Sequence, residues 1–206
     1  MKKDQFSSQM IDKLKQQYEP WRGKKMSLGR NVEIEDNCLS VDNFKKITDL
    51  ILGDKFFQIP WYYNPIVDYP DETDDSDKFQ FVHIFYDNSP LYVSPLMKQL
   101  NPILDIIQPV SVYRIKANLL TKTSNIIENE FHIDINGMSD EKIKQWTTSI
   151  FYANTNDGFT EFEDGTKVES VANRMVTFPA NLKHRGTSCT DEKRRVVINF
   201  NYYSKT

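Results

Sequence analysis

The sequence predicts a mainly β member of the α+β class, with helices packed outside a small antiparallel double-sheet barrel. Three observations carry this. Helical periodicity is confined to the first half. From Val110 onward, short runs alternate apolar and polar residues instead. Tight-turn signals, Asn156-Asp157-Gly158 and Asp164-Gly165, punctuate those runs. Helices followed by a block of short strands leave the strands to close on one another and the helices to cover them. The 206 residues suffice for one domain with a sizeable core. We read residues 1–109 as a helical and aromatic support region and 110–206 as the strand-rich core.

In chain order, residues 4–18 place Phe6, Met10, Ile11 and Leu14 on one helical face, and Pro20 ends that helix. Residues 21–37, with Gly23 and Gly29, read as loop with room for one strand. Ser40 or Asp42 caps a second helix that buries Phe44, Ile47, Leu50 and Ile51 and stops at Gly53. The aromatic residues 56–63 read as a strand, more suited to a sheet face than to stacking on bases. Residues 65–78 carry Asp68, Asp71, Glu72, Asp74, Asp75 and Asp77. The run lacks the Gly and terminal Glu of a calcium loop and reads as solvated. Residues 79–86 form a strand in which His83 is structural. Ser94-Pro95 opens a third helix that runs to about Ile107 and breaks at Pro109. Strands then follow over 112–120, 130–135, 147–154, 159–162, 167–171, 174–178 and 194–203, with Phe131, Ile135 and Trp146 as packing residues.

The formal charge of −3 makes no broad electrostatic case for nucleic acid or an anionic membrane. Cys38 and Cys189 form neither a CxxC pair nor a disulfide framework, which fits a reduced, cytoplasmic compartment. No apolar run follows Met1-Lys2-Lys3, and none approaches the length of a membrane span.

The chemistry sits between Phe131 and Tyr203. His132 and Asp134 are two apart, so an extended strand delivers an imidazole and a carboxylate to one side. His184, far enough downstream for a hairpin or two, supplies a third ligand. Two His and one carboxylate leave coordination positions open, as in non-haem Fe(II) oxygenases; zinc with a water uses the same ligands. The last strand offers two arginines whose planar fork suits a carboxylate. Arg195 shares its face with Val197, Asn199 and Asn201. Arg194 shares a wholly apolar face with Val196, Ile198, Phe200 and Tyr202. The mixed face suits a cavity, so Arg195 is preferred and Arg194 is the alternative.

These residues resemble the catalytic core of the Fe(II)- and 2-oxoglutarate-dependent dioxygenases, in the prolyl-4-hydroxylase-like branch. Within it they are most similar to small oxygenases encoded by bacteriophages of cyanobacteria. The resemblance covers about 90 residues in the family's order. Ser149-Ile150-Phe151-Tyr152-Ala153-Asn154 resembles a strand ending in Tyr-Leu-Asn. Gly158-Phe159-Thr160-Glu161-Phe162 resembles Gly-Gly-x-Thr-x-Phe, and Asn173-Arg174-Met175-Val176-Thr177-Phe178 resembles Gly-Arg-x-Val-x-Phe. The distal His184 and the arginine strand then follow.

The resemblance implies a double-stranded β-helix, or jelly roll, with Fe(II) held by His132, Asp134 and His184. It implies 2-oxoglutarate as cosubstrate and dioxygen as oxidant. Arg195 would anchor the far carboxylate, with Tyr152, Thr160 and Asn118 near the same pocket. Related halogenases lack the carboxylate ligand, so Asp134 implies hydroxylation or demethylation. The chain departs from the family at Asp157, Ala153 and the polar segment 121–130, which weakens a peptidyl-proline reading. The substrate, a small molecule or a peptide, is not written in the sequence. A phage origin would place the protein in the host cytoplasm.

Overall fold

The computed structural model describes residues 24–28, 31–53, 59–67 and 78–204. The helix expected over 4–18 and the acidic run 68–77 lie outside the described residues. The elements, in order, are β1 (Lys24–Ser27), β2 (Glu33–Asp36), α1 (Val41–Ile51), β3 (Tyr62–Asn64), β4 (Gln80–Asn88) and β5 (Leu91–Val93). A 3-10 turn (Met97–Leu100) leads into α2 (Asn101–Ile107), then β6 (Ser111–Thr121), α3 (Asp140–Ile143), β7 (Thr147–Tyr152) and β8 (Phe159–Phe162). The chain closes with β9 (Lys167–Glu169), β10 (Arg174–Pro179), β11 (His184–Gly186) and β12 (Arg194–Tyr203).

The larger sheet runs β1-β2-β10-β7-β12-β6-β4-β3, with β5 paired to β4, and the smaller runs β11-β8-β9. β12 lies in the middle, antiparallel to both β6 and β7. Its pleat sorts its side chains onto two faces. Val196, Ile198, Phe200 and Tyr202 enter an apolar layer with Ile47 and Ile51 of α1, Ile103 of α2, and Ile115, Ala117 and Leu119 of β6. Each such side chain contributes about 1.5–3 kcal/mol on burial. On the opposite face Val197 packs with Ile150, Tyr152, Val176 and Phe178, and with Phe162 and Val168 of the smaller sheet. Two facing antiparallel sheets with helices on the outer side make a jelly roll, the expected double-stranded β-helix.

Local chemistry explains where the elements depart from expectation. Residues 21–37 supply two strands, because β2 pairs with β10 and β1 with β2. Of the stretch 56–63 only Tyr62 and Tyr63 fall in a described strand, β3; Pro60 cannot donate to a ladder, and its carbonyl accepts instead from His83 Nδ1 at 2.9 Å. The third helix becomes α-helical only at Asn101, since Pro102 is tolerated in a first turn and not later. Ser94 does not cap it; its hydroxyl meets His83 Nε2 at 3.2 Å and the Leu96 amide at 3.2 Å. Ser40 does cap α1, accepting from Asn43 N at 3.4 Å.

Residues 130–135 are not a strand. The segment touches β11 through one bridge, His132 opposite His184. Beyond it, Arg114 Nη2 donates to the Asp134 carbonyl at 2.8 Å, where a ladder would have needed a neighbouring amide. Ile135 is buried as expected, whereas Phe131 is only half-buried and lies under the Arg185 guanidinium. His184 opens a strand the sequence did not announce, and α3 was not expected either. Trp146 packs edge-on against Tyr113 and Tyr203.

Asn173 fastens the N-terminal segment to the barrel. Its side chain accepts from Leu39 N at 3.0 Å and donates to Leu39 O at 2.8 Å, and its carbonyl accepts from Cys38 N at 3.1 Å. Its φ of 62° is left-handed, which explains why Asn occupies a position where the motif has Gly. Asn173→Ala loses two buried hydrogen bonds and strains the backbone. We expect about 2–4 kcal/mol of destabilisation in denaturant unfolding, with Asn173→Gly milder because it keeps the turn.

Candidate metal centre

His184 begins β11, and its main chain exchanges hydrogen bonds with His132: His132 N donates to His184 O and His184 N to His132 O, each at 3.0 Å. This sets the two rings side by side, centroids 5.0 Å apart. Each imidazole uses Nδ1 against a main-chain carbonyl two residues back, His132 to Glu130 at 3.0 Å and His184 to Leu182 at 3.3 Å. A carbonyl only accepts, so Nδ1 carries the proton and Nε2 keeps its lone pair. The Nε2 atoms lie 3.8 and 4.0 Å from the Asp134 carboxylate oxygens. One ligand atom from each of the three residues fits within a 4.8 Å spread.

Asp134 is buried and held by donors. Asn201 Nδ2 donates at 3.0 Å and Asn199 Nδ2 at 3.3 Å, while Arg114 Nη2 lies 3.7 Å from its other oxygen. Burial alone would raise its pKa. The charges that His184, Arg114, His132 and Lys116 can carry outweigh burial and hold the carboxyl below the usual range. Burial lowers the pKa of His184, against the attraction of Asp134, and so favours the neutral ring that coordinates a metal. Phe178 backs this ring, edge-on at 4.9 Å.

The donor set fits a divalent cation: two imidazole Nε2 atoms and a carboxylate, each side chain fixed by its own outer hydrogen bonds, with one side open. That side opens into a cleft with about 490 Å3 of free space, its mouth included. Asn118 and Asn199 line it, and each buries a carbonyl oxygen that has no donor. Buried acceptors without a protein partner are uncommon, and these two are free to accept from water or from a bound molecule. A larger surface cleft of about 1230 Å3, bordered by Glu33, Glu35, Trp146 and Thr177, contains no such group.

Arg195 lies at the other end of the same cleft, 2% exposed. Its Nε donates to Ser170 Oγ at 2.8 Å and its Nη2 to Thr160 Oγ1 at 3.2 Å. Among the described residues no carboxylate pairs with it. Burial lowers its pKa from the ordinary arginine value. The slot that holds it is made by Gly158, where a Cβ would meet Ser188 O at 2.6 Å and Arg195 Cδ at 2.7 Å. That close approach is what the Gly of the Gly-x-Thr motif provides. Arg194 points to the other face, where its guanidinium bonds Leu52 O at the end of α1.

Of the remaining sequence-derived candidates, Thr160 and Asn118 line the cleft. Tyr152 stands one layer back: its hydroxyl donates to Thr160 Oγ1 at 2.8 Å, and its ring lies 5.7 Å from the Arg195 guanidinium. The sequence reading missed Arg114, Lys116 and Ser170. Alternation along β6 puts Arg114, Lys116, Asn118 and Leu120 on one face, a signal that was available. Ser170 had none.

No family model and no curated protein sequence matches the chain. Solved structures do. A prolyl hydroxylase from Trichoplax adhaerens, in complex with a hypoxia inducible factor oxygen degradation domain peptide fragment, superposes over 98% of this chain and 94% of its own, with TM-score 0.53 and 12% identity. HygX from Streptomyces hygroscopicus, with nickel and 2-oxoglutarate bound, covers 85% of this chain and 84% of its own, with TM-score 0.52 and 9% identity. The viral collagen prolyl hydroxylase vCPH from Paramecium Bursaria Chlorella virus-1 superposes less well, with TM-score 0.47 and 15% identity over 86% of this chain and 98% of its own. The fold of this chain is thus the one seen in the Trichoplax prolyl hydroxylase and in HygX.

The geometry leads to a binding test that needs no turnover. Mn(II) at about a hundred times its dissociation constant is expected to stabilise the protein by about 2.7 kcal/mol. Thermal unfolding should show this shift in the wild type and lose it in Asp134→Ala and His184→Ala.

Proposed function

We propose that the protein is a non-haem Fe(II)- and 2-oxoglutarate-dependent dioxygenase of the hydroxylating or demethylating type. The observation that carries this reading is Arg195: a buried guanidinium whose hydrogen bonds go only to hydroxyls, beside the Tyr152 ring and with no carboxylate partner among the described residues, in the same cleft as the His132–Asp134–His184 cluster. An unpaired buried charge is costly, and a bound anion relieves the cost. A cluster of metal ligands at one end and a lone cation at the other suit a 2-oxo acid that ends in a second carboxylate. The crystal of HygX with nickel and 2-oxoglutarate supports the same ligand pair on this fold.

Each residue then has a task. His132, Asp134 and His184 hold Fe(II), which when bound supplies the oxidative decarboxylation of 2-oxoglutarate by dioxygen. The balance is 2-oxoglutarate, dioxygen and a substrate C–H going to succinate, carbon dioxide and C–OH; a hydroxylated N-methyl group leaves as formaldehyde. Asn199, Asn201 and Arg114 keep Asp134 ionised and oriented, so the ligand set is organised before metal enters. Arg195 fixes the far carboxylate through its planar fork. Thr160 and Ser170 hold that fork, and Tyr152 holds Thr160. Ile150 and Val197 give the cleft apolar wall that restricts water.

Purified protein with Fe(II), ascorbate and 2-oxoglutarate is expected to release succinate in an iron-dependent way. A His132→Ala variant that releases as much would contradict the reading. Arg195→Met should weaken 2-oxoglutarate by about 100-fold, the loss expected when a buried charge partner is removed. Arg194→Met should stay within about threefold, since its charge meets a carbonyl on the opposite face. Titration of each Mn(II)-loaded variant with 2-oxoglutarate measures both.

A further inference from the structure

Lys116 lines the cleft, and beyond its share in keeping Asp134 ionised the reading above gives it no task. It sits on β6, two residues from Asn118 and directly across the ladder from Asn199. It is half-buried, and among the described residues no carboxylate or hydrogen-bond acceptor meets its ammonium. The acidic groups that act on it electrostatically are Asp134 and Asp87, and both are engaged elsewhere. Asp134 is held by Asn199, Asn201 and Arg114, and Asp87 accepts from Ser89 N at 2.8 Å.

The register places Lys116 away from the Arg195 end. Arg195 pairs with Leu120, so Lys116 lies four residues further along the same strand, about 13 Å by strand rise. Asn199, which bonds Asp134, shares its row, so Lys116 stands at the metal end. A five-carbon dicarboxylate spans about 5–6 Å, less than two residues of extended chain. With its far carboxylate on Arg195 and its oxo-acid carboxylate committed to the metal, such a molecule offers Lys116 no free carboxylate. A second anion is therefore favoured beside the metal.

Two neighbours say more about that anion. Asn118 Oδ1 and Asn199 Oδ1 are buried acceptors without donors, on residues that are each 7% exposed. The Asn199 amide cannot turn round, because its Nδ2 donates to the Asp134 carboxylate. A ligand that satisfies all three groups carries a carboxylate for the ammonium and an N–H donor for the Asn199 carbonyl, while the Asn118 amide, which no hydrogen bond fixes, can turn to meet either group. We propose that Lys116, Asn118 and Asn199 form the subsite for the carboxylate and amino group of a free α-amino acid, the primary substrate. This rests on the oxygenase reading. It separates the protein from enzymes that act within a polypeptide, where neither group is free.

The test is calorimetric. Anaerobic protein loaded with Mn(II) and 2-oxoglutarate is titrated with the common L-amino acids and with their α-amides. At least one amino acid is expected to bind, with its amide about tenfold weaker or worse. Lys116→Met should abolish that difference and Lys116→Arg retain part of it. The 2-oxoglutarate affinity of both variants, which also reports an intact fold, should stay within about threefold of wild type. The proposal is overturned if no amino acid binds more tightly than its amide, or if the preference survives in Lys116→Met. It is also overturned if Lys116→Met weakens 2-oxoglutarate about tenfold, which would put the ammonium on the cosubstrate. Failure of the wild type to bind 2-oxoglutarate at all, seen before any amino acid is added, sinks the oxygenase reading itself.

Discussion

The two-residue pleat of β12 is the constraint on which the rest depends. This strand lies between β6 and β7 in the middle of the larger sheet, and both its faces are covered. A shift of one residue in its register would send Arg195, Asn199 and Asn201 into the helix-covered layer and Val196, Ile198 and Phe200 into the cleft. Neither exchange is affordable, since one strips an arginine of its partners and the other removes the donors that hold Asp134. The apolar layer under α1 and α2 therefore specifies the polar site on the opposite side. Packing and chemistry are set by the same ladder.

The site itself is organised by main-chain groups as much as by side chains. Two carbonyls fix the tautomers of His132 and His184, and a third, that of Asp134, is taken by Arg114. The reciprocal bridge between His132 and His184 fixes the spacing of the rings. Coordination then requires little rearrangement of the three ligands, which favours tight, geometry-selective metal binding. At the far end of the cleft, Gly158 and Gly186 leave the room that the Arg195 side chain fills.

Much of this was legible in the sequence because it depends on period-two patterns in long strands. β6, β8, β10 and β12 fall close to their expected positions, and the choice between Arg194 and Arg195 follows from the company each keeps on β12. The segment around His132 was misread for a physical reason. Its alternation suits a strand, but Arg114, distant in sequence, takes the carbonyl that a strand would have offered a neighbour. The short β11 gave no signal, because three residues are too few for a pattern. The hairpin of β4 and β5 and the pairing of β2 with β10 rest on long-range contacts that no local window contains. Among the described residues no helix is long and apolar enough to cross a membrane.

In the proposed function one cleft holds a metal at the His132–Asp134–His184 end and a 2-oxo dicarboxylate that reaches from it to Arg195. Anaerobic absorption spectroscopy of the Fe(II)-loaded protein tests this most directly, because a 2-oxo acid that chelates Fe(II) through two oxygens gives a visible charge-transfer band. The band should grow saturably on adding 2-oxoglutarate, and should need a much higher concentration of 2-oxobutyrate, which has no second carboxylate for Arg195. Absence of the band in protein that has bound Fe(II), or equal titration by the two acids, would contradict the account.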